Sequence, residues 1–281
     1  MNSRLADTFA RLRCENRIGL VTYTTAGDPD LERSAEILLS LEAAGASVLE
    51  VGVPFSDPVA DGPVIQRAAE RALAAGTTLT RVLALIAGLR PHLHVPLVLF
   101  SYANPIFRLG TNRFARLTAE AGVDGVLVLD LPVEEAGEFR DRMDLAGIDT
   151  IFLVSPTTSP ERIRKAAALG GGFLYAISRL GVTGARVSLH DGAGALVRRI
   201  RAHSHLPIAL GFGISHPDHV REAGRWADAA VVGSSLVSVI AEAGERPDLV
   251  ERVQQHVRWL RGECPGAAPE TRSGPGAPRS R

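Results

Sequence analysis

An acidic residue interrupts an apolar segment early in the chain, and its surroundings favour proton transfer. Glu50 lies in VLEVGVP, residues 48–54. In a strand it would share one face with Val48 and Gly52, and the missing side chain of Gly52 would leave room for a ligand. Burial disfavours the ionised form of a carboxyl group, which suits a proton donor and acceptor near neutral pH. A structural ion pair with an arginine is the alternative, and this segment alone leaves both interpretations open.

Two more carboxylates follow in the loop FSDPVADGP, residues 55–63. Asp57 and Asp61 stand among two prolines and a glycine, which stiffen and shape the chain. A helix-favouring segment, VIQRAAERALAAG, begins directly afterwards, so turn chemistry or a helix N-cap is the alternative reading for either aspartate. Two carboxylates near one strand end nevertheless favour a functional pair.

A tyrosine and a long loop mark the end of a later apolar run. Tyr175 stands in FLYAIS and is one of only three tyrosines. A phenol on a strand can orient a carboxylate or contact substrate, with core packing as the alternative. The segment that follows places Gly181 and Gly184 around Thr183, which is typical of a lid and also of an ordinary surface loop.

The last two apolar runs end in glycines and serines that favour anion binding. The first reads GFGIS, residues 211–215, and the second reads VVGSSLVSVI, residues 231–240. Glycine turns expose backbone N–H groups, and Ser234 and Ser235 are expected to open a short helix. Barrel enzymes build phosphate sites in this way after their seventh and eighth strands, and the helix dipole supplies the attraction without net positive charge.

A repeated pattern shows which elements must position these residues. Ala-rich amphipathic segments are followed by a glycine and then by a short apolar run, as in EAAGASVLEVGVP and AEAGVDGVLVLDLP. The pattern predicts helices that end at left-handed glycines before buried parallel strands. These expected helix ends are at Gly45, Gly122, Gly147, Gly170 and Gly224.

Eight such strands with helices between them predict a (β/α)₈ barrel, an α/β TIM-barrel fold with its active site at the C-terminal ends of the strands. A doubly wound open sheet is the alternative. The first strand is followed by TTAGDPD, which lacks the GxGxxG spacing of a dinucleotide turn.

The two ends of the chain differ from the repeat. RLADTFARLR near the start predicts a short N-terminal helix that plugs the bottom of the barrel. The residues from 262 to 281 are rich in Gly, Pro and Ser, which predicts a disordered tail. We therefore expect one barrel domain over residues 1–261, followed by that tail.

Composition excludes several classes of protein. The chain has 281 residues, 31 of them basic and 31 acidic, which argues against binding through nucleic-acid phosphates. No apolar run is long enough for a membrane span, and the charged N-terminus does not resemble a signal sequence. Cys14 and Cys264 are interpreted as free thiols, and the eight histidines show no metal-ligand spacing. These features predict a soluble, cytoplasmic, metal-free enzyme.

Several of these segments together resemble the tryptophan synthase α subunit family, the indole-3-glycerol-phosphate lyases. The motifs are LEVGVPFSDPVADGP, YAISRLGVTGAR, GFGIS and GSS, and the resemblance covers residues 4–261. It implies retro-aldol cleavage of indole-3-glycerol phosphate to indole and glyceraldehyde 3-phosphate, with no metal or organic cofactor on this chain.

The resemblance also implies roles for individual residues. Glu50 corresponds to the general acid–base, Asp61 to the group that stabilises positive charge at the indole nitrogen, and Tyr175 to a supporting hydrogen-bonding residue. Thr183 corresponds to a lid residue that reaches Asp61 on closure.

The residues implied as substrate contacts form two groups. The phosphate ligands are implied as Gly184, Gly213, Gly233 and Ser234, and the indole pocket as Tyr23, Phe100 and Phe212. Tyr23 and Phe100 stand where the family is expected to have Phe and a smaller aliphatic residue. The carboxylates are expected opposite the phosphate anchor.

A partner is implied as well. The family docks on a β subunit that carries pyridoxal phosphate and receives indole through a tunnel, in an α2β2 heterotetramer. The segments expected on the docking face contain Pro54, Asp57, Asn104 and Phe107. Three alternatives remain: a stand-alone lyase that releases free indole, a non-catalytic barrel that activates a partner, and another phosphosugar barrel enzyme. Intact Glu50 and Asp61 disfavour the second, and the long GVPFSDP motif disfavours the third.

Overall fold

Eight parallel strands close into a barrel, as the sequence predicts. The structure is a computed structural model that describes residues 3–177, 192–211 and 213–263. Each strand pairs in parallel with the next, and β8 pairs with β1 to complete the ring. The strands are β1 (Gly19–Thr25), β2 (Val48–Gly52), β3 (Leu97–Ser101), β4 (Gly125–Val128), β5 (Asp149–Val154), β6 (Leu174–Ile177), β7 (Ile208–Gly211) and β8 (Ala229–Val232).

Helices surround this barrel and connect its strands. The helices of the first half are α1 (Arg4–Cys14), α2 (Leu31–Ala43), α3 (Pro63–Ala74), α4 (Leu79–Leu89), α5 (Ala103–Leu109) and α6 (Thr111–Glu120). Those of the second half are α7 (Gly137–Leu145), α8 (Pro160–Leu169), α9 (Gly192–Arg201), α10 (Pro217–Ala223), α11 (Ser234–Ala243) and α12 (Leu249–Leu260). The long connection from β2 to β3 contains α3, α4 and a short 3₁₀ turn, Arg90–His92.

Local side-chain chemistry explains where many helices begin. Ser3, Asp30, Thr78 and Ser159 each accept a hydrogen bond from the backbone N–H three residues later, which satisfies an amide that the helix leaves unpaired. Proline occupies the first turn of α3, α8 and α10, where its missing N–H costs nothing.

All five glycines follow a helix end as predicted, and the left-handed conformation is confirmed at three of them. Gly45, Gly122 and Gly147 have φ of 92°, 77° and 72°. Gly170 and Gly224 are the C-caps of α8 and α10, but the left-handed conformation expected there is wrong, because φ is −81° and −64°. Close packing explains glycine there, because an added Cβ would lie 2.6 Å from the Ala166 carbonyl oxygen at Gly170 and 3.2 Å from Ile18 Cδ1 at Gly224. The local pattern detects the glycine and misses its reason.

Two buried clusters separate the inside of the barrel from its outside. One fills the space between the strands and the surrounding helices. The other fills the barrel interior, and Leu5, Phe9 and Leu12 of α1 belong to it. The Phe9 and Phe173 rings lie 5.5 Å apart between centroids. The predicted plug helix is therefore confirmed, and it leaves the C-terminal ends of the strands as the accessible end of the barrel.

Two predictions about the ends of the chain reach outside the described residues. Residues 264–281, most of the predicted tail, lie beyond them, as does Cys264; Cys14 is an exposed free thiol. Among the helices that the structure describes, no single one is both long enough and apolar enough to cross a membrane.

Candidate active site

The Glu50 carboxyl group lies in the interior of the barrel. It pairs in register with Tyr23 on β1 and Val98 on β3, and its side chain is fully buried. Within the described part of the chain, neither carboxyl oxygen has a hydrogen-bond partner and no arginine pairs with it. Burial first, and then the charge of Asp61, raises the pKa of Glu50 to about 8. The group is therefore protonated at neutral pH and able to donate a proton.

Asp61 lies near this carboxyl group, held by a residue from another strand end. The Tyr102 hydroxyl donates a hydrogen bond to Asp61 Oδ2 at 3.0 Å, and the Ala60 N–H donates to the same hydroxyl at 3.0 Å. Burial raises the pKa of Asp61 to about 6, and the Tyr102 hydrogen bond opposes the rise. Gly62, not Asp61, is the N-cap of α3, so the N-cap alternative for Asp61 is wrong.

Tyr102 is a site residue that the sequence reasoning missed. It directly follows β3, where a polar side chain points to the accessible end of the barrel. Its ring packs on Phe55 at 5.0 Å between centroids, so the loop after β2 is held by both a ring contact and a hydrogen bond. The strand-end position of a tyrosine was the available signal, and the strand-end rule applied to Tyr175 would have found it.

Two aromatic rings form a wall beside Glu50. Tyr23 is 5% exposed, and its ring meets Phe100 edge-on at 5.1 Å between centroids. The Tyr23 hydroxyl lies 3.3 Å from Thr25 Oγ1. An added Cβ on Gly52 would lie 2.3 Å from the Tyr23 hydroxyl oxygen. The space left by Gly52, expected to hold a ligand, is therefore filled by this phenol, because parallel register sets Thr25 and Gly52 side by side.

Tyr175 reaches the same interior from β6. Its ring lies over Gly211 on β7, where an added Cβ would be 2.5 Å from the ring. Burial and then the charge of Glu50 raise the pKa of Tyr175 well above its ordinary value. The Tyr175 hydroxyl is therefore neutral, and it lies close enough to Glu50 for the charge of that carboxylate to affect its pKa.

Glycines and a helix start form a candidate anion cradle after β7 and β8, consisting of Gly213, Gly233 and Ser234. Gly213 has φ of 67°, a conformation that favours glycine, and no atom of the described residues lies within 4 Å of an added Cβ. Gly233 is the N-cap of α11 and makes no side-chain cap, so the first-turn N–H groups of α11 have no partner within the helix. Such a helix start attracts phosphate.

The cradle lies closer to the carboxylates than expected. Only β1 stands between β8 and β2 in the ring, so the two groups are not on opposite sides of the barrel. A Cβ on Gly233 would lie 3.6 Å from Tyr23 Cβ, which links the cradle to the aromatic wall. A ligand of modest length can therefore contact both.

Three of the implied site residues cannot be placed. Thr183, Gly184 and Phe212 lie outside the described residues. Among the residues that are described, no group of three or more His, Cys, Asp or Glu side chains is arranged to hold a metal ion.

The residues expected at a docking face have different exposures. Asp57 and Asn104 are exposed, and Phe107 is 54% exposed. Val59, in the same loop as Asp57, is 87% exposed. Pro54 is buried, so it shapes the loop from within and does not present surface to a partner.

Known proteins of one family match this chain over nearly its whole length. A family model described as "Tryptophan synthase alpha chain" matches residues 9–263. A tryptophan synthase alpha chain of Geotalea uraniireducens (strain Rf4) is 51% identical over 240 residues, 85% of this chain and 90% of that one.

Solved structures agree with this match. Tryptophan synthase subunit alpha from Legionella pneumophila str. Paris has a TM-score of 0.86 and 36% identity, covering 94% of this chain and 98% of that one. A chain of the tryptophan synthase complex from Pyrococcus furiosus has a TM-score of 0.79 and 36% identity, covering 87% and 98%. The chain therefore belongs to the tryptophan synthase alpha chain family, which catalyses the lyase half-reaction that cleaves indole-3-glycerol phosphate.

Proposed function

We propose that the barrel domain, residues 1–261, carries out this cleavage with Glu50 as the general acid–base. The observation that supports the role best is the fully buried Glu50 carboxyl group, whose pKa of about 8 keeps it protonated at neutral pH. A general acid works best when its pKa lies near the working pH. Asp61, with a pKa of about 6, is ionised under the same conditions.

The two carboxyl groups then have separate tasks. Glu50 donates its proton to indole C3, and the ring nitrogen takes up positive charge that the Asp61 carboxylate stabilises. The C3–C3′ bond breaks, its electron pair returns to the indole ring, and Glu50 takes the proton of the C3′ hydroxyl as the aldehyde forms. Glu50 ends as it began, so no proton is gained or lost.

Binding contacts place the substrate for these steps. Tyr23 and Phe100 flank the indole in this proposal, together with Phe212, and Tyr175 supports the Glu50 carboxyl group. The phosphate is bound by N–H groups of Gly213, Gly233 and Ser234, with Gly184 contributing from its loop. Thr183 acts as the lid residue toward Asp61. Because contacts at both ends of the substrate hold it in place, its C3–C3′ bond is aligned with the two carboxyl groups, and binding energy contributes to the rate.

We further propose that the chain works with a tryptophan synthase β subunit that carries pyridoxal phosphate, in an α2β2 heterotetramer. The solved relatives include a tryptophan synthase complex, which supports a partner for this chain. The exposed apolar side chains Val59 and Phe107 lie in segments that flank the barrel opening with Asp57 and Asn104. The exposed thiol of Cys14 fits a reducing compartment such as the cytoplasm.

An indole-release assay with and without the cognate β subunit tests both parts of the proposal. We expect slow release of indole by the chain alone and strong activation on addition of the β subunit. High activity alone that the β subunit leaves unchanged would instead identify a stand-alone lyase. Absence of indole under both conditions would contradict the catalytic proposal.

The docking surface is tested separately with Phe107→Ser. This variant should lose activation by the β subunit while its activity alone stays within about twofold, because Phe107 is exposed and does not support the core. Leu145→Ser, at an 86% exposed leucine on α7, is the control. Equal activation of the two variants would argue against this surface.

A further inference from the structure

Four aromatic side chains behind the anion cradle form a connected group, here called the His–Trp cluster: His216, His219, His256 and Trp259. The His216 and Trp259 rings meet edge-on at 5.2 Å, the His256 and Trp259 rings are 5.5 Å apart, and the His216 and His219 rings are 6.0 Å apart. The cluster joins α10 to α12 on the outside of the barrel. None of its members has a role in the proposed reaction.

One end of the cluster holds the loop after β7. The Ser215 N–H donates a hydrogen bond to His219 Nδ1 at 3.3 Å, and His219 is 7% exposed. Ser215 lies two residues after Gly213, the positive-φ glycine of the cradle. Because a backbone amide can only donate, His219 Nδ1 must present its lone pair to this loop.

The other end of the cluster holds the start of α11. Ser235 Oγ lies 2.8 Å from His256 Nε2, and His256 is 7% exposed. Burial lowers the pKa of His256 to about 4, so its ring is neutral at physiological pH and adds no charge near the cradle. Ser235 is the second residue of α11, so this bond holds the first turn, whose N–H groups have no partner within the helix.

We propose that His219 and His256 are positioning residues that set the two halves of the anion cradle at the spacing that phosphate binding requires. The inference rests on the proposed function, since it assumes that the cradle binds the substrate phosphate. Its physical reason is that backbone N–H groups cannot rotate independently as side chains can. The direction of a backbone N–H group is fixed by the contacts that hold the backbone. A small displacement of such a donor weakens the hydrogen bond that it makes to the phosphate.

The test separates positioning from folding by comparing hydrogen-bonding and non-bonding variants. Ser235→Ala and His256→Leu should each weaken binding of glycerol 3-phosphate about fivefold and raise KM for indole-3-glycerol phosphate similarly, as expected for a lost hydrogen bond. kcat should change less than twofold, because Glu50 and Asp61 are untouched. His256→Gln keeps a polar group near the Nε2 position and should retain affinity close to that of the native chain.

The same comparison applies to the other half of the cradle. His219→Asn keeps an acceptor near Nδ1 and should bind glycerol 3-phosphate nearly normally, whereas His219→Leu should bind about fivefold more weakly. Ser40→Ala is the matched control, since Ser40 is a buried helical serine whose hydroxyl donates to the Ile37 carbonyl at 2.8 Å, on α2. It should lose stability without losing phosphate affinity.

The outcomes distinguish this inference from the proposed function. If the native chain binds no glycerol 3-phosphate and releases no indole, the proposed function fails and the inference fails with it. If the native chain does both, and Ser235→Ala and His256→Leu bind as tightly as Ser40→Ala, only the inference is overturned. Equal losses in His256→Gln and His256→Leu would also overturn it, because the effect would then follow ring packing and not the hydrogen bond.

Discussion

The two halves of the candidate site use different parts of the chain. The acid half, around β1 to β3, depends on side-chain carboxyl and hydroxyl groups whose pKa values are raised by burial. The anion half, after β7 and β8, depends on backbone N–H groups exposed by Gly213 and by the start of α11. Substitutions in the acid half should therefore change protonation and kcat, and substitutions in the anion half should change geometry and KM.

The largest effect is expected for Glu50→Gln. The amide fills the same space but transfers no proton, so kcat should fall on the order of 10³-fold or more. Phosphate binding should persist, because the cradle is built from other strands. Steady-state indole release and titration with glycerol 3-phosphate measure the two properties. Near-native turnover would remove Glu50 from the mechanism.

The same variant should become more stable than the native chain as the pH rises. Glu50 has a pKa of about 8 when folded, against 4.5 for an exposed glutamate. Between these values the unfolded chain loses the proton and the folded chain keeps it, so the native free energy of unfolding falls with increasing pH. The advantage of Glu50→Gln should grow across this window to the order of a few kcal/mol. Urea unfolding at pH 5, 7 and 9, roughly spanning it, checks the trend.

Asp61→Asn should reduce kcat on the order of 10²-fold, because the positive charge at the indole nitrogen loses its anion. The pH profile sharpens this prediction. In the native chain, kcat/KM should rise near pH 6 as Asp61 ionises and fall near pH 8 as Glu50 ionises. The variant should lose the first step and shift the second to lower pH, since the charge of Asp61 contributes to the raised pKa of Glu50. A pH profile of Asp61→Asn identical to that of the native chain would contradict the separate roles assigned to Asp61 and Glu50.

Gly213→Ala tests the anion half, with a smaller expected effect. At φ of 67° an alanine is strained by about 1–2 kcal/mol, although no neighbour within the described part of the chain would clash with its Cβ. The loop should shift to relieve this strain and raise KM about tenfold with little change in kcat. Gly147→Ala, at φ of 72° with the same open space, is the control and should cost stability only. Equal KM values in the two variants would argue against the cradle.

The smallest of these effects is expected for Tyr102→Phe. The ring can still pack on Phe55, while the 3.0 Å hydrogen bond to Asp61 is lost. This bond lowers the pKa of Asp61, so the acidic step of the pH profile should move to higher pH and kcat should fall about threefold to tenfold. An unchanged kcat together with an unmoved step would leave Tyr102 a packing role alone.

Local sequence patterns were sufficient to predict the barrel fold and the burial of Glu50. The repeat of helix, glycine and apolar run predicts the eight strands, and the spacing in RLADTFARLR predicts the plug helix, because helical and strand periodicities depend on near neighbours in sequence. The same parity argument places Glu50 inside, where it is fully buried. The left-handed conformation expected at Gly170 and Gly224 is wrong, and an added Cβ there would instead meet the Ala166 carbonyl oxygen of the same helix and Ile18 of another segment.

What the sequence by itself determined is the order of the elements, the inward face of β2 and the glycine-rich ends of β7 and β8. Only the tertiary structure decided that Tyr102 holds Asp61, that the Tyr23 hydroxyl fills the space beside Gly52, and that His256 binds Ser235. These contacts join residues far apart in the chain. The pKa of a carboxyl group and the direction of a hydrogen-bond donor depend on distances in space and on the exclusion of water. Spacing along the sequence specifies neither.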